Sequence, residues 1–415
     1  MYSQDGMGLG HLRRSYTIAH AIQRRSPGCD ILILADSPAI SLFAPEPGIE
    51  LMKLPTVIKT GDADWRNSTL STSLRRLIRL RAALVAETLA EFRPDTVLVD
   101  HMPVGALGEL KPMLDRALAL PRPPRLFLGL RDILDRPAVI RRVWADLGAY
   151  DYLPVYDAVL VYGSRTIYDA ATAYGLGSSA QAVRYCNYVT NGSHRPVTGA
   201  RSESYVLMMG GGGGDAFPLA KAFVEAHGAV HRELGIDGVV LAGPNMSAAD
   251  REALASLVAP PVRIVHVSGE PAKWIAGASA IVTMGGYNSL CEVLGLRKKA
   301  LVVPRAGPSA EQRMRSALFA ERALVRTLDP AGLEPEQIAR HLLSVMADDT
   351  VPDLVQMPPL NGAETAANVL ASRACRDEAA DLERVPGEEA LALKAALRRG
   401  LVAVGSTLGA AGRPL

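Results

Sequence analysis

At 415 residues, with 48% hydrophobic and 21% charged residues, the chain is too long for one ordinary core and too apolar for disorder, so two domains are expected. A net charge of +2, arginines spread along the chain, six Phe and three Trp exclude a basic or base-stacking footprint for nucleic acid. Cys29, Cys186, Cys291 and Cys375 show no metal spacing, no apolar run reaches the roughly 18 residues of a membrane span, and no leader precedes the first motif. A cytoplasmic protein with reduced thiols is expected, free to touch a membrane surface.

Only Met1, Tyr2 and Ser3 precede Gln4, so the first strand is expected to be shortened, as start-site choice in the gene would leave it, and weak as a core element. A glycine loop (Asp5 to Gly10) follows, then a helix through LRRSYTIAHAIQRR, with His11 in its first turn. Gly6, Gly8 and Gly10 give GxGxG without the third spacing of a dinucleotide fingerprint, so that reading is discounted. CDILILAD and IELMKLP read as strands, and 56–73 as a long polar loop. A helix spans Leu74 to Phe92; its run RRLIRLR reads as a solvated face, with contact to an anionic acceptor as the alternative.

DTVLVDHMP, RLFLGLRDIL and YDAVLVYGS are buried strands separated by helices, the pattern of a mostly parallel sheet. Ligands of such sheets bind beyond the carboxyl ends of the strands, which puts Asp100, His101, Arg131 and Asp132 at the crevice. After Cys186 the periodicity is lost, and a domain boundary is expected at 190–203. The second half opens with strand Tyr205 to Met209, five glycines and a helix, an arrangement that makes a phosphate-cradling nest rather than a linker. No GK[ST] follows, so it is not a Walker loop. GVVLAGP and VRIVHVSG are further strands, with a helix from Glu270 to Ala278.

The most informative stretch is VTMGGYNSLCEVLGLRKKALVVPRAGPSAEQRMRSALFAERA, Val282 to Ala323. A strand ends at Thr283, Gly285 and Gly286 turn, and a helix opens at Asn288 or Ser289, either of which can cap it. That N-terminus is a seat for an anion. Glu292, one turn on, is placed to accept two hydroxyls. A second strand, Ala300 to Val303, delivers Arg305, Glu311, Gln312 and Arg315. A phosphate seat, a diol acceptor and a polar hand together suit a nucleotide sugar.

This segment, with Gly8-Leu9-Gly10-His11-Leu12-Arg13-Arg14 and the glycine run at Gly210, resembles the GT-B glycosyltransferases, especially family 28 and a group of bacterial glycosyltransferases carrying GLGHLRR. The resemblance spans roughly 2–370. It implies an α/β GT-B fold of two Rossmann-like doubly wound domains facing across a cleft: an acceptor domain at 1–195, a donor domain at 203–373, and a helix and tail at 374–415. A helix from Glu364 to Arg373 resembles the segment that crosses back onto the first domain, and one more helix is expected at Gly387 to Arg399. The diphosphate is assigned to amides of Gly211, Gly212, Gly213 and Gly214 and to the Asn288/Ser289 helix start, with Arg305 as added charge. Glu292 takes the ribose, Glu311 and Gln312 the sugar hydroxyls, and Val267 lies by the base; the resemblance implies a UDP-linked donor.

Fixed dipoles at the leaving group, and the lack of a DxD pair, point to no metal and no cofactor beyond the nucleotide sugar; the family implies inversion. His11 is the general base for a small-molecule, lipid-linked or polymeric hydroxyl acceptor, because imidazole titrates near pH 6.5, and Asp100 is its partner. Asp5 is a second possible base. The alternatives are a UDP-sugar 2-epimerase of the same architecture, or a nucleotide-sugar-binding protein without catalysis.

Overall fold

The computed structural model describes residues 1–6, 8–61, 64–176, 182–190, 204–348, 352–353 and 355–371. Of the expected boundary segment 190–203 only Thr190 is described; the rest of it, the last two residues of the expected Glu364 to Arg373 helix, the helix at Gly387 to Arg399 and Cys375 lie outside the described residues. In the first half run β1 (Tyr2–Ser3), α1 (Gly10–Arg25), β2 (Ile31–Ala35), β3 (Ile49–Lys53), β4 (Val57–Lys59), β5 (Trp65–Asn67) and α2 (Leu74–Phe92). They are followed by β6 (Thr96–Asp100), α3 (Lys111–Ala119), β7 (Arg125–Arg131), α4 (Pro137–Asp146), β8 (Ala158–Tyr162), α5 (Ala170–Tyr174) and β9 (Val183–Tyr185). The second half has β10 (Tyr205–Met209), α6 (Phe217–Leu234), β11 (Asp237–Leu241), α7 (Ala248–Leu257), β12 (Val262–Val265) and α8 (Pro271–Gly277). It continues with β13 (Ala278–Thr283), α9 (Tyr287–Gly295), β14 (Ala300–Val302), α10 (Glu311–Ala320), β15 (Arg326–Thr327), α11 (Pro335–Ala347) and α12 (Gly362–Ala371).

Two parallel sheets result, ordered β3-β2-β1-β6-β7-β8-β9 and β12-β11-β10-β13-β14-β15. Each strand order reverses once, between β1 and β6 and between β10 and β13, and the crevice at such a reversal is where this fold class binds ligands. The interior strands β8 and β10 read AVLVY and YVLMM with every residue buried, as expected where helices cover both faces.

β1 is only two residues long, yet both are buried and it pairs with β2 and β6 at the centre of its sheet. The expectation of a weak core element is therefore corrected. The Met1 ammonium donates to the Leu32 carbonyl at 2.7 Å, extending the pairing. Residues 56–73 are not a plain loop either: β4 and β5 form an antiparallel hairpin within them. In the RRLIRLR run, Arg75, Arg76 and Arg79 are exposed, but Arg81 is fully buried between Asp36 (3.0 Å) and Glu109 (2.9 Å).

One apolar cluster runs through both halves. Leu12, Ile18, Phe127 and Leu160 of the first join Leu207, Ile281, Leu290 and Phe319 of the second. Small residues on α12 (Ala363, Ala366, Ala367) let it pack closely along α1, so the chain crosses back onto the first domain as expected. Tyr188 stacks on Tyr287 at 5.8 Å, and the Tyr287 hydroxyl accepts from the Val189 amide at 2.8 Å. Among the described residues no helix is long and apolar enough to cross a membrane.

Candidate active site

Both reversal points open toward the same cleft. In the first domain, the Asp5 carboxylate accepts the Leu12 amide at 2.7 Å and so holds the start of α1. Asp5 is buried, and burial raises its pKa; a side chain spent on that helix start is a poor second base. His11, in the first turn of α1, places Nδ1 2.5 Å from an oxygen of Asp100 at the end of β6. Two groups meet this nitrogen: the Asp100 carboxylate, which only accepts, and Arg14 Nη2 at 2.8 Å, which only donates. The carboxylate contact is the shorter and Arg14 is already spent on both Asp100 oxygens, so the proton is assigned to Nδ1 and Nε2 keeps its lone pair.

Asp100 is 1% exposed and also receives Arg14, whose Nη2 donates to both carboxylate oxygens at 2.7 and 2.8 Å. Arg14 sits between the rings of Tyr162 (5.3 Å) and Tyr287 (5.5 Å). Burial alone would raise the pKa of Asp100, but Arg14 and His11 hold it below the usual carboxylate range. Sequence reasoning passed over Arg14, although it lies three residues from His11 and hence on the same helix face. His101, with its ring 4.6 Å from that of His11 and φ of 76°, is kept neutral by burial and by the nearby His11, Arg131, Arg14 and Lys59.

In the second domain, Met209 and Thr283 are paired at the ends of neighbouring strands, so the two glycine turns leave the sheet side by side. A Cβ on Gly211 would stand 3.6 Å from Ser289 Oγ. The Gly213 amide is spent on the Gly210 carbonyl at 2.9 Å; those of Gly211, Gly212 and Gly214 bond to none of the described residues. Gly213 has φ of 90°, and a Cβ there would meet the Ala242 carbonyl oxygen at 2.5 Å, so only glycine fits. Gly285 is equally constrained, at φ 82° with Ser316 Oγ 2.6 Å from a Cβ position.

Helix α9 starts one residue earlier than expected: Gly286 is the N-cap, and no side chain caps it. The first intrahelical bond is from the Leu290 amide to the Gly286 carbonyl, leaving the amides of Tyr287, Asn288 and Ser289 without helical partners. Asn288 instead donates across the cleft to the Gly10 carbonyl at 2.9 Å. Glu292, buried on α9, meets Arg13 of α1 at 3.1 Å; burial outweighs Arg13 and raises its pKa. Gly8 Cα lies 3.9 Å from where a Gly212 Cβ would be. The first-domain glycine loop therefore faces the nest directly.

Glu311 is buried in a network. Arg315 bonds it at 2.6 Å, and Arg131 and Arg305 lie at 3.5 and 3.7 Å. Burial would raise its pKa, but Arg131, Arg315 and Arg305 together lower it. Arg315 also pairs with both oxygens of Asp132 (2.7 and 2.8 Å) and donates to the Gly285 carbonyl. Arg305 reaches Asp215 at the end of the nest (3.3 Å), and its amide donates to Gln312 Oε1. Gln312 and Glu311 thus brace this loop from buried positions. Val267 is 43% exposed, and the turn at Gly243, whose amide bonds to His266, stands between its loop and the nest.

No protein-family model matches the sequence, and no curated protein matches it. Solved structures do. MurG of Acinetobacter baumannii is 15% identical, with 89% of this chain and 94% of that one covered and a TM-score of 0.53. A Phytolacca americana UGT2 solved with UDP-2-fluoro-glucose and pterostilbene is 12% identical over 97% and 99%, TM-score 0.56. A Listeria monocytogenes protein assigned as a UDP-N-acetylglucosamine 2-epimerase is 13% identical over 93% and 98%, TM-score 0.61. At these identities the likeness is one of fold, and with the two reversed-order parallel sheets it shows that this chain has the GT-B architecture.

Proposed function

We propose that the chain is a glycosyltransferase that moves a sugar from a nucleotide-diphosphate sugar, UDP-linked in the first instance, to a hydroxyl acceptor. One observation carries this reading: two glycine turns with unspent amides stand side by side, and they face a histidine-carboxylate pair across the cleft. Solved structures of the same fold include a UGT2 with UDP-2-fluoro-glucose bound.

In this reading the amides of Gly211, Gly212 and Gly214 and the start of α9 at Asn288 and Ser289 take the diphosphate. Gly285 and Gly286 shape the turn, and Arg305 adds charge. These dipoles are fixed before the reaction and stabilise the charge that develops on the leaving group. Glu292 takes the ribose hydroxyls, the Val267 loop the base, and Glu311 and Gln312 the sugar.

His11 Nε2 removes the proton of the acceptor hydroxyl as its oxygen attacks the anomeric carbon from the face opposite the diphosphate, which inverts the centre. Asp100 shares its charge with Arg14, so its part is to fix the tautomer and aim of the ring more than to neutralise an imidazolium. No metal is needed in this scheme, and chelator treatment is expected to leave turnover unchanged.

An epimerase needs carboxylates in the cleft free to move protons, whereas Glu292, Glu311, Asp132 and Asp100 are each paired with arginine. The test is a thermal-shift screen of nucleotides and nucleotide sugars, followed by an acceptor panel. A melting point raised by UDP or its sugars, with UDP released only when acceptor is present, supports transfer. Isomerised sugar from donor alone gives the epimerase. Binding without any turnover across the panel gives the non-catalytic protein.

A further inference from the structure

The contact between Arg13 and Glu292 joins the two domains beside the proposed ribose position. Arg13 follows Gly10 by one turn on α1, and Asn288 holds the Gly10 carbonyl at 2.9 Å. Arg13, Asn288, Glu292 and Thr190 line one small opening. The Thr190 hydroxyl is buried there without a partner among the described residues, so the opening contains a hydrogen-bonding group that none of them uses. Arg13 is the more exposed of the pair, its side chain 28% accessible against 7% for Glu292, so it can leave the contact at the smaller desolvation cost.

We propose that Arg13 is a donor-binding residue supplied by the first domain, which occupies Glu292 in the free protein and exchanges it for the diphosphate when the nucleotide arrives. The inference rests on the donor site proposed above. A buried carboxylate left without a partner is costly, so in the free chain Arg13 satisfies it. The two ribose hydroxyls can take over that duty. Arg13 is then released next to the nest, where a doubly charged diphosphate and a guanidinium make charge-assisted hydrogen bonds. The exchange also ties donor binding to the helix that carries His11.

This arrangement predicts effects of opposite sign for two ligands. A nucleoside competes with Arg13 for Glu292 and gains nothing from its release; a nucleoside diphosphate gains the phosphate contact. Titration calorimetry on the full chain therefore compares uridine with UDP, with thymidine/TDP and adenosine/ADP in parallel, in wild type and Arg13→Met. UDP affinity is expected to fall about tenfold or more, by loss of charge-assisted bonds. Uridine affinity is expected to rise roughly threefold, as a partly exposed competing ion pair is removed. Arg13→Lys, which keeps the charge, should restore part of the UDP affinity, and the melting point of each variant confirms folding. Shifts of the same sign for both ligands, or no shift, overturn the inference alone. A wild-type chain that binds none of the pairs overturns the donor reading and this inference with it.

Discussion

The two domains begin with the same unit, strand, glycine loop and helix, and use it in opposite ways. After β10, a strand of five buried residues, the loop consists of glycine, and what it offers is backbone amides. After the two-residue β1, the loop leads straight into His11, Arg13 and Arg14, and what it offers is side chains. Amides suit an anion because they are fixed by the chain and cannot titrate. Side chains suit proton transfer because they can. The same fold thus supplies a binding half and a reacting half, and damage to each should look different.

Removing the imidazole in His11→Ala is the sharpest test of the difference. Loss of a general base typically costs ~10²–10⁴ in turnover. UDP affinity, read by calorimetry, should stay within a factor of about two, because no His11 contact reaches the nest. Near-normal turnover would remove His11 from the mechanism. Where the halves meet, Asp132→Asn leaves the buried Arg315 with half its charge compensation and is expected to cost about 3–5 kcal/mol in chemical denaturation. A loss below ~1 kcal/mol would mean the clasp is solvated in solution.

Within the binding half, Gly213→Ala and Gly214→Ala separate shape from function. Gly213 has positive φ and a carbonyl oxygen 2.5 Å from any Cβ, so alanine there should cost on the order of 1–3 kcal/mol and weaken UDP binding as well. Gly214 has only ordinary contacts at 3.8 Å or more, so its variant should keep its melting point. If UDP binding then falls with stability intact, crowding of the seat is the cause.

Much of this architecture could be read from the sequence because parallel strands buried on both faces are continuous apolar runs between glycines. Helix α2 was bounded correctly at both ends, with Ser73 capping it through the Arg76 amide. The β4–β5 hairpin was missed because three-residue strands carry no measurable alternation. Arg81 was legible and overlooked: Leu77, Arg81, Val85 and Leu89 recur every four residues, the buried stripe of the helix. The Gly286 cap was not legible, since Asn288, the stronger capping type, is drawn away by a carbonyl nearly three hundred residues earlier. Which side chains meet across the cleft is tertiary information, so Arg14 on Asp100 and Arg13 on Glu292 emerge only from the fold.

The smallest effect expected is a pair of opposed slopes against pH. In the reacting half, Asp100 has its pKa depressed by folding, chiefly by Arg14 against the cost of burial. Its stabilisation is present above the unfolded Asp value of about 3.9 and is lost as pH falls below it. In the binding half, burial raises the pKa of Glu292, so folding favours its protonated form. That contribution is present below the unfolded Glu value of about 4.3 and is lost as pH rises through the folded value. Relative to wild type, Asp100→Asn should therefore lose most stability near neutrality and progressively less in acid. Glu292→Gln should run the other way, its deficit growing as pH falls, because the wild-type carboxyl gains stability on protonation and the amide does not. Denaturation midpoints from pH 7 down to about 2.5 read both slopes, the Asp100 change falling below about 3.9. Parallel slopes would mean that both carboxylates sit in the same electrostatic setting, and the division between an amide-built half and a side-chain-built half would not extend to the charges that face each other across the cleft.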